Sequence, residues 1–255
     1  GNPKGCVHTH RTVMASLVAG VIWNPTTETT VHLGALPFFH VTGMMNGMHA
    51  PILTGGRNVI LPRWSSKLAA GLIARFGITR WRSISTMAID LVNDPDFDSY
   101  DLSSLLMIGG GGAAMPEAIA KNLKDMTGLD YVEGYGLSET ASSLTCNTPD
   151  HNKLGTVGKL LPSMQVKVVS PEGEALDAEG EGELLVRGPN VFQGYWGRPA
   201  ATLEAIDADG WFRTGDVAVI QTDGFIRVVD RIKDMILVSG FNVYPNEIED
   251  VVCDH

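Results

Sequence analysis

The chain has 255 residues, of which 44% are apolar, and a formal net charge of −10. This length and composition predict a globular protein with a substantial core, arranged as one large domain or two smaller ones. Because the charge is acidic and Lys and Arg form no long cluster, a broad electrostatic footprint for nucleic acid is excluded. Any phosphate that the protein handles must be held locally.

The three cysteines, Cys6, Cys146 and Cys253, are widely spaced and form no CxxC pair. This pattern argues against a disulfide framework and against a zinc site, and it favours a reducing compartment. The longest apolar stretches, such as residues 14–23, are shorter than the roughly 18 residues that a membrane span needs. No signal-peptide pattern opens the chain, so we expect a cytoplasmic location. The sequence leaves the oligomeric state open.

The first 150 residues alternate between helical and extended patterns. Helices are predicted at 8–23, 40–53, 65–76, 86–93 and 116–126, and strands at 31–37, 57–61, 78–83, 105–108 and 129–133. Such alternation predicts an α/β domain over residues 1–150, with a largely parallel sheet flanked by helices. In this architecture, ligands bind beyond the carboxyl ends of the strands.

From about residue 155 the composition changes to short β-type runs separated by turn residues. Strands are predicted at 165–169, 182–186, 217–221 and 225–229. They predict a small antiparallel, β-barrel-like subdomain over residues 151–230. A strand at 235–238 and a helix capped by Asn246 follow, so residues 231–255 read as a hinge and the start of a further domain.

A glycine-rich stretch at 106–116, LMIGGGGAAMP, predicts a strand, a turn and a helix start. Gly109, Gly111 and Ala114 match the dinucleotide fingerprint G-x-G-x-x-G/A. Glu133 follows about 20 residues later, where an acid that binds ribose would lie. These residues support one alternative, an NAD-type domain. A purely structural tight turn is another explanation of the glycines.

Three further stretches place charged groups on predicted loops. Residues 1–5 (GNPKG) carry Lys4 but lack the order of a Walker loop, residues 211–216 (WFRTGD) end in an acid, and residues 230–234 (DRIKD) contain four charges. In residues 131–143 (YVEGYGLSETASS), Glu139 stands between two hydroxyls just after a predicted strand. Taken singly, each stretch fits an ordinary loop, and Ser138 could simply cap a helix whose first turn contains Glu139.

Taken together and in order, six stretches resemble the motifs of AMP-forming acyl-CoA synthetases. They are GNPKGCVHTHR (1–11), LPFFHVTG (36–43), GYGLSET (134–140), GELLVRGP (182–189), FRTGD (212–216) and DRIKDMILVSGFNVYPNEIE (230–249). The resemblance implies the central part of the large domain of an adenylate-forming enzyme, in a superfamily that also includes luciferases and the adenylation domains of peptide synthetases. The first half of the phosphate loop, everything before it and most of the carboxyl-terminal domain have no counterpart here. We therefore expect the chain alone to be inactive as a ligase.

The resemblance also implies a reaction. A carboxylic acid attacks the α-phosphate of ATP, pyrophosphate leaves, and the thiol of CoA then takes the acyl group from the acyl-adenylate. Because two anions must meet, the site needs a cation and oriented donors. ATP, Mg²⁺ and CoA are the implied cofactors and co-substrates, and the expected partners are small molecules.

By the same likeness, individual residues acquire roles at the nucleotide. Glu139 resembles the Mg²⁺ ligand, Thr140 the hydrogen-bond donor to the α-phosphate, and Tyr135 the ring that stacks on adenine. Asp216 would accept hydrogen bonds from the ribose hydroxyls with help from Arg231. The remaining positions implied to contact the nucleotide or CoA, or to form the hinge, are Lys4 in the phosphate loop, Gly112, Ala113 and Ala114 near adenine, Gly136, Lys233 at the hinge and Gly240 in the pantetheine passage.

His40 resembles the histidine at the carboxylate end of the acyl pocket, and residues 109–111 would border the acyl group. Four methionines near these positions, Met44, Met45, Met48 and Met87, could form an adaptable apolar lining that suits a medium- or long-chain fatty acid. Core packing explains the methionines equally well. An NAD(P)-dependent oxidoreductase and a non-catalytic nucleotide-binding module remain the alternatives.

Overall fold

The computed structural model describes residues 3–112, 115–234, 236–238, 241–243 and 245. The α-helices are α1 (His10–Trp23), α2 (Ala50–Thr54), α3 (Ser66–Phe76), α4 (Ser85–Val92), α5 (Glu117–Thr127) and α6 (Pro199–Ala205). The strands of the first half are β1 (Val31–Gly34), β2 (Arg57–Ile60), β3 (Arg80–Ser83), β4 (Met107–Gly110), β5 (Tyr131–Tyr135), β6 (Thr145–Cys146) and β7 (Lys159–Leu160). Those of the second half are β8 (Gln165–Val169), β9 (Glu181–Arg187), β10 (Phe212–Ile220), β11 (Ile226–Arg231), β12 (Ile236–Val238) and β13 (Phe241–Val243).

The first sheet has seven strands in the order β2-β1-β3-β4-β5-β6-β7. All pairings among the first five strands are parallel, whereas β6 and β7 are added antiparallel at the edge. The predicted α/β class is therefore confirmed. The strand order reverses between β1 and β3, and this switch point is where ligands bind in such sheets.

Local sequence explains where the main helices begin and end. Thr9 caps α1, with its hydroxyl accepting the backbone N–H of Thr12 at 3.2 Å, and Ser65 caps α3 in the same way. Gly77 ends α3 in a left-handed conformation. The inner face of α3 buries Ala69, Ala70 and Ile73 against the sheet, whose core includes Trp81 and Ile108.

The helix predicted at 40–53 is interrupted. A π-helical segment runs over Gly43–His49 and passes into α2, where Pro51 stands near the amino end. Proline cannot donate to the carbonyl four residues earlier. That carbonyl belongs to Gly47, and it accepts the side-chain amide of Asn58 instead. The π-helical segment ends just before this proline, where the N–H of Ala50 donates to the carbonyl of Met45, five residues earlier.

Two glycine motifs lie in strands rather than in the predicted loops. Gly109 and Gly110 belong to β4. Glycine is required at both positions, because an added Cβ would lie 2.4 Å from the carbonyl oxygen of Val132 and 2.2 Å from that of Ser83, respectively. The FRTGD stretch lies within β10, which shifts register against β9 between Arg213 and Val217. The shift marks a bulge in the strand.

The second half forms a four-stranded antiparallel sheet in the order β11-β10-β9-β8, as the β-type runs predicted. Strands β12 and β13 pair separately, and the helix predicted at Asn246 lies outside the described residues. The short strands β6 and β7 and helix α6 were not predicted. Since β7 extends the first sheet beyond residue 150, the proposed boundary between the two units stays a prediction. Across the described ranges, every helix is too short or too polar to cross a bilayer.

Candidate active site

A cavity of about 1230 Å³ opens beyond the carboxyl ends of β1, β3, β4 and β5 and is also lined by the start of β10 and the end of β11. Its position agrees with the expected ligand site of a parallel sheet. The predicted site residues that line it are Lys4, His40, Gly112, Tyr135, Gly136, Glu139, Asp216, Arg231 and Lys233. Ala113, Ala114 and Gly240 lie outside the described residues.

Asp216 lies in the wall of this cavity, where β10 pairs with β11. The pairing register places Asp216 opposite Arg231, and the guanidinium Nε lies 3.4 Å from the Oδ1 atom of the carboxylate. The hydroxyl of Tyr135 donates to the other oxygen, Oδ2. The Asp216 side chain is thus held in one orientation by a phenol and a cation.

Burial sets the protonation behaviour of this pair. Asp216 is only 4% exposed, and burial raises the pKa of its carboxyl even though Tyr135 and Arg231 both lower it. The pKa of Tyr135 is also raised, first by burial and then by the charge of Asp216. The phenol therefore stays a hydrogen-bond donor at neutral pH.

Glu139 also lines this cavity, from the 3₁₀ turn over Ser138–Thr140 that follows β5. Its Oε1 atom accepts the hydroxyl of Tyr195 at 2.7 Å, and the Lys4 ammonium lies 4.1 Å from the centre of the Tyr195 ring. The neighbouring Cys6 thiol has its pKa raised to about 11 by burial and by the charge of Glu139. Cys6 is therefore an uncharged thiol at neutral pH.

The segment that carries Lys4 is fixed by a short stretch of backbone pairing. Val7 donates to the carbonyl of Gly194 at 2.9 Å, Gln193 donates back to Val7 at 2.8 Å, and Trp196 donates to Gly5 at 2.8 Å. This pairing brings Lys4 and Tyr195 together. The sequence reasoning missed Tyr195, although the aromatic run at 191–196 (VFQGYW) beside the GELLVRGP motif could have suggested it.

The turn after β5 presents a different hydroxyl from the one predicted. Thr140 is fully buried, its hydroxyl accepts the N–H of Leu137 at 2.9 Å and contacts the Leu137 carbonyl at 3.1 Å, and it does not line the cavity. Ser138 does line the cavity and is exposed. Thr140 therefore does not face the cavity, and its contact with the α-phosphate stays a prediction. The alternative in which Ser138 caps a helix is also not met, since only a single 3₁₀ turn forms over Ser138–Thr140.

Tight backbone geometry holds this turn. Ala141 and Ser142 both have positive φ, at 51° and 87°, which is rare for residues with side chains. A Cβ at Gly136 would lie 1.4 Å from the carbonyl oxygen of Ser142, so only glycine fits there. Ser16 donates to the Ala141 carbonyl at 2.7 Å and Asn190 to the Thr140 carbonyl at 3.0 Å. These contacts fix the position of Glu139.

Only some of the residues predicted to contact the acyl group line the cavity. His40 is exposed at the cavity, and its Nδ1 atom accepts the N–H of Thr42 at 3.2 Å. Of the four methionines, only Met87 lines this cavity. Met44 and Met45 pack instead in a core cluster with Leu17, which matches the core-packing explanation.

Glu133, the acid that the dinucleotide alternative requires, does not reach the cavity. It is 6% exposed, and the backbone N–H of Met115 lies 3.4 Å from its Oε2 atom. Burial raises its pKa to about 7. An acid in this position is part of the packing between β5 and the start of α5, and the geometry gives no support to a ribose contact by Glu133.

The donor set around Glu139 fits a magnesium ion bound together with a nucleotide. The described residues contain no group of three or more His, Cys, Asp or Glu that could hold a metal ion by themselves. Mg²⁺ is usually bound through one or two carboxylates with phosphate oxygens and waters. A single carboxylate that faces the cavity therefore has the chemistry expected of such a ligand.

Comparison with known proteins agrees with this geometry. The AMP-binding enzyme family matches residues 1–196. A long-chain-fatty-acid–CoA ligase from Salmonella typhimurium is 41% identical over 100% of this chain and 46% of its own length. A mitochondrial medium-chain acyl-CoA ligase, ACSF2, from Mus musculus is 35% identical over 100% of this chain and 43% of its own. The chain thus spans about half the length of the curated relatives that it matches.

Solved structures show the same fold. The o-succinylbenzoate coenzyme A synthetase MenE from Bacillus subtilis, in complex with ATP and magnesium ion, superposes with a TM-score of 0.91 at 30% identity, covering 100% of this chain and 53% of that one. An ATP-bound RpMatB-BxBclM chimera superposes with a TM-score of 0.94 at 29% identity, covering 100% and 50%. The resemblance predicted from the six motifs is confirmed, and this chain belongs to the AMP-binding enzyme family.

Proposed function

We propose that the protein carrying this chain is an AMP-forming acid–thiol ligase that activates a medium- or long-chain fatty acid with ATP and transfers it to CoA. The observation that carries the proposal is the convergence of Glu139, Asp216 and Arg231 on one cavity of about 1230 Å³. That volume exceeds the roughly 300–1,000 Å³ of a typical small-molecule pocket, so a nucleotide and an acyl group have room together. The names of the curated relatives support the fatty acid class.

The nucleoside would lie against the β10–β11 edge. Asp216 would accept both ribose hydroxyls, since a carboxylate offers two oxygens and Tyr135 and Arg231 already hold it in place. The Tyr135 ring, which lines the cavity, would lie against adenine. Gly112 and Gly136 lack the side chains that would obstruct the base.

The phosphates would lie on the opposite side, near Ser138, Glu139 and Lys4. Glu139 would hold Mg²⁺, which supplies positive charge to the phosphate oxygens when it is bound. We assign the phosphate-facing hydroxyl to Ser138, because Thr140 is buried in its own turn. Lys4, fixed beside Tyr195, would offset the negative charge at this end of the cavity.

In the first step, a carboxylate oxygen of the acid bonds to the α-phosphorus and the bond to pyrophosphate breaks. His40 would orient that carboxylate at the carboxyl end of β1. In the second step, the CoA sulfur bonds to the acyl carbon, AMP leaves and the thiol proton is released. Lys233, on the turn after β11, would mark the hinge between the two steps, and the reaction would take place in the cytoplasm.

The test is pyrophosphate release by the protein that carries this chain, with ATP, Mg²⁺ and a panel of carboxylic acids. We expect release that depends on the acid, followed by CoA-dependent release of AMP. Absence of acid-dependent pyrophosphate release across the panel would leave a non-catalytic nucleotide-binding module as the better description. Reduction of NAD(P)⁺ without use of ATP would favour an oxidoreductase.

A further inference from the structure

Three basic side chains share one face of the first sheet beneath the cavity. Arg80 and Arg82 are two residues apart on β3, so their side chains point to the same face, and Trp81 between them points to the other. His32 of β1 is the register partner of Arg80. Neither Arg80 nor Arg82 forms an ion pair with any described residue, so no carboxylate of the described chain neutralises their charges.

The two arginines have different surroundings. The Arg80 guanidinium donates to the backbone carbonyls of Asn24 at 3.3 Å and Pro25 at 2.8 Å, which commits it to holding the end of α1. Arg82 donates within the described chain only to the Sγ atom of Cys146, at 3.6 and 3.5 Å. A thiol is a weak acceptor, so most of the hydrogen-bonding capacity of Arg82 is unused.

Arg82 lies where the main cavity meets a smaller space of about 50 Å³ below it. Both spaces are lined by Asn46, Arg82, Ser143 and Cys146. The smaller space is also lined by His32, which is 6% exposed and whose Nε2 atom is buried without a hydrogen-bond partner. The unpartnered Nε2 atom of His32 and the Arg82 guanidinium therefore belong to residues that line the same small space.

A ligand carboxylate would be a stronger partner for Arg82 than the Cys146 thiol is. Arg82 is a half-buried cation at the cavity wall, and no described residue supplies it with a counter-charge. Burial, Arg80 and Arg82 lower the pKa of His32 to about 4, so the imidazole is neutral at neutral pH and does not compete for an anion. A plain alkyl chain would place methylene groups beside Arg82 and leave the guanidinium unpaired.

We propose that Arg82 binds a second carboxylate, at the end of the substrate remote from the reacting carboxyl group, so that the preferred substrate is an α,ω-dicarboxylic acid. Guanidinium and carboxylate form two parallel hydrogen bonds, and the neutral His32 or the Asn46 amide can complete the contact. This inference rests on the proposed function and narrows its substrate class. Arg82 acts as a specificity residue and takes no part in the phosphoryl chemistry.

The test compares acids of equal chain length in the protein that carries this chain: an alkanoic acid, the matching α,ω-dicarboxylic acid and its monomethyl ester. Acid-dependent pyrophosphate release gives kcat/KM for each. We expect the dicarboxylic acid to exceed both others by about tenfold or more, since a hydrogen bond to a charged group is worth that much. Equal kcat/KM for the dicarboxylic acid and the alkanoic acid would overturn the inference and leave the proposed function standing.

Two substitutions test whether Arg82 causes the preference for the dicarboxylic acid. Arg82→Gln is expected to lower the ratio of dicarboxylic to alkanoic kcat/KM by about tenfold or more, and Arg82→Lys to lower it less. Arg75→Gln, on the exposed surface of α3, is the matched control and should leave the ratio unchanged. A preference that survives Arg82→Gln in a protein that still binds AMP would overturn the assignment to Arg82. If no acid of either class releases pyrophosphate, the proposed function fails and this inference fails with it.

Discussion

Asp216 connects the two halves of the cavity, because one oxygen faces Tyr135 on β5 and the other faces Arg231 on β11. Such a carboxylate could be a structural link alone or a ribose acceptor held ready. The two roles differ in what they predict for ligands. If Asp216 is only a structural link, its loss should weaken the binding of every nucleotide equally. If it is a ribose acceptor, its loss should weaken only the binding of nucleotides that carry ribose hydroxyls.

We therefore expect Asp216→Asn to weaken AMP binding by about tenfold to a hundredfold, the usual effect of losing a charged hydrogen-bond partner. Binding of 2′,3′-dideoxy-AMP should change far less. Isothermal titration calorimetry with both ligands measures the difference. The control is Asp223→Asn, an exposed carboxylate that pairs with Lys153 at 2.7 Å away from the cavity. Equal losses for both nucleotides would make Asp216 a structural link only.

Tyr195 provides a second prediction at this scale, because its hydroxyl holds Glu139. Tyr195→Phe should raise the Mg²⁺ concentration needed for half-maximal pyrophosphate release by about threefold to tenfold, since a mispositioned carboxylate binds the ion less well. If the hydroxyl acts through Glu139, Tyr195→Phe should add little in a Glu139→Gln background. Additive effects of the two substitutions would show that Tyr195 has an independent role.

Motif order predicted a set of residues that the structure brings to one cavity, while the role of each residue stays a prediction. Nine predicted residues line one cavity because parallel strands end at the same edge of a sheet. Ser138 and Thr140 could not be separated from letters alone, since the choice depends on a 3₁₀ turn and on positive φ values at Ala141 and Ser142. Tyr195 was missed because its contact with Glu139 spans 56 positions in the sequence.

At the scale of elements, β5 contributes both to the site and to the stability of the core. Tyr135 at its end faces the cavity, while Glu133 is buried beside the backbone of Met115. The raised pKa of Glu133, about 7 against 4.5 in a free side chain, means that the folded state binds its proton more tightly than the unfolded state. This carboxyl must therefore destabilise the fold as pH rises from about 4.5 to about 7.

Glu133→Gln should remove that effect. We expect the free energy of unfolding of the variant, minus that of the wild type, to increase between pH 5 and pH 7.5 by roughly 3 kcal/mol at most, and then to level off. Taking the difference cancels His32, whose lowered pKa acts in the opposite sense. Urea unfolding at several pH values measures it. A difference that does not vary with pH would contradict the buried, proton-binding state of Glu133.

The turn after β5 can be tested with a pair of glycines. Gly136→Ala should destabilise the fold by at least about 2 kcal/mol and abolish AMP binding, because the new Cβ would collide with the Ser142 carbonyl. Gly71→Ala, on the exposed face of α3 with no atom within 4 Å of the added Cβ, should instead stabilise by about 0.5–1 kcal/mol. Thermal unfolding of both variants measures these opposite changes in stability. An unchanged stability of the Gly136→Ala variant would contradict the predicted collision with Ser142.

The type of an element could be predicted where its hydrophobic periodicity was regular, as in α3 and α5. It was harder to predict where contacts between distant parts of the chain determine the local structure. The π-helical segment contains the Gly47 carbonyl, which accepts the side-chain amide of Asn58, a contact across 11 positions that no local pattern reveals. β4 contains glycines, which disfavour strands, and it forms because two neighbouring strands approach closely. The two-residue strands β6 and β7 carry too few residues to show alternation.

At the scale of the whole molecule, the two sheets meet around the cavity, and each supplies part of the site. The first sheet and the turn after β5 provide the glycine-lined wall and Glu139, and the second sheet provides Asp216 and Arg231. A nucleotide that contacts both sheets would stabilise their packing by binding only the folded state. This division explains why the motifs are spread over the sequence from Lys4 to Lys233.

The most direct test of a shared nucleotide cavity is a crystal structure of the protein carrying this chain, grown with AMP and Mg²⁺. We predict the ribose hydroxyls within about 3 Å of the Asp216 carboxylate and the phosphate beside Ser138 and Glu139. AMP bound elsewhere, or bound in this cavity with its ribose turned away from Asp216 and Arg231, would contradict the proposed site.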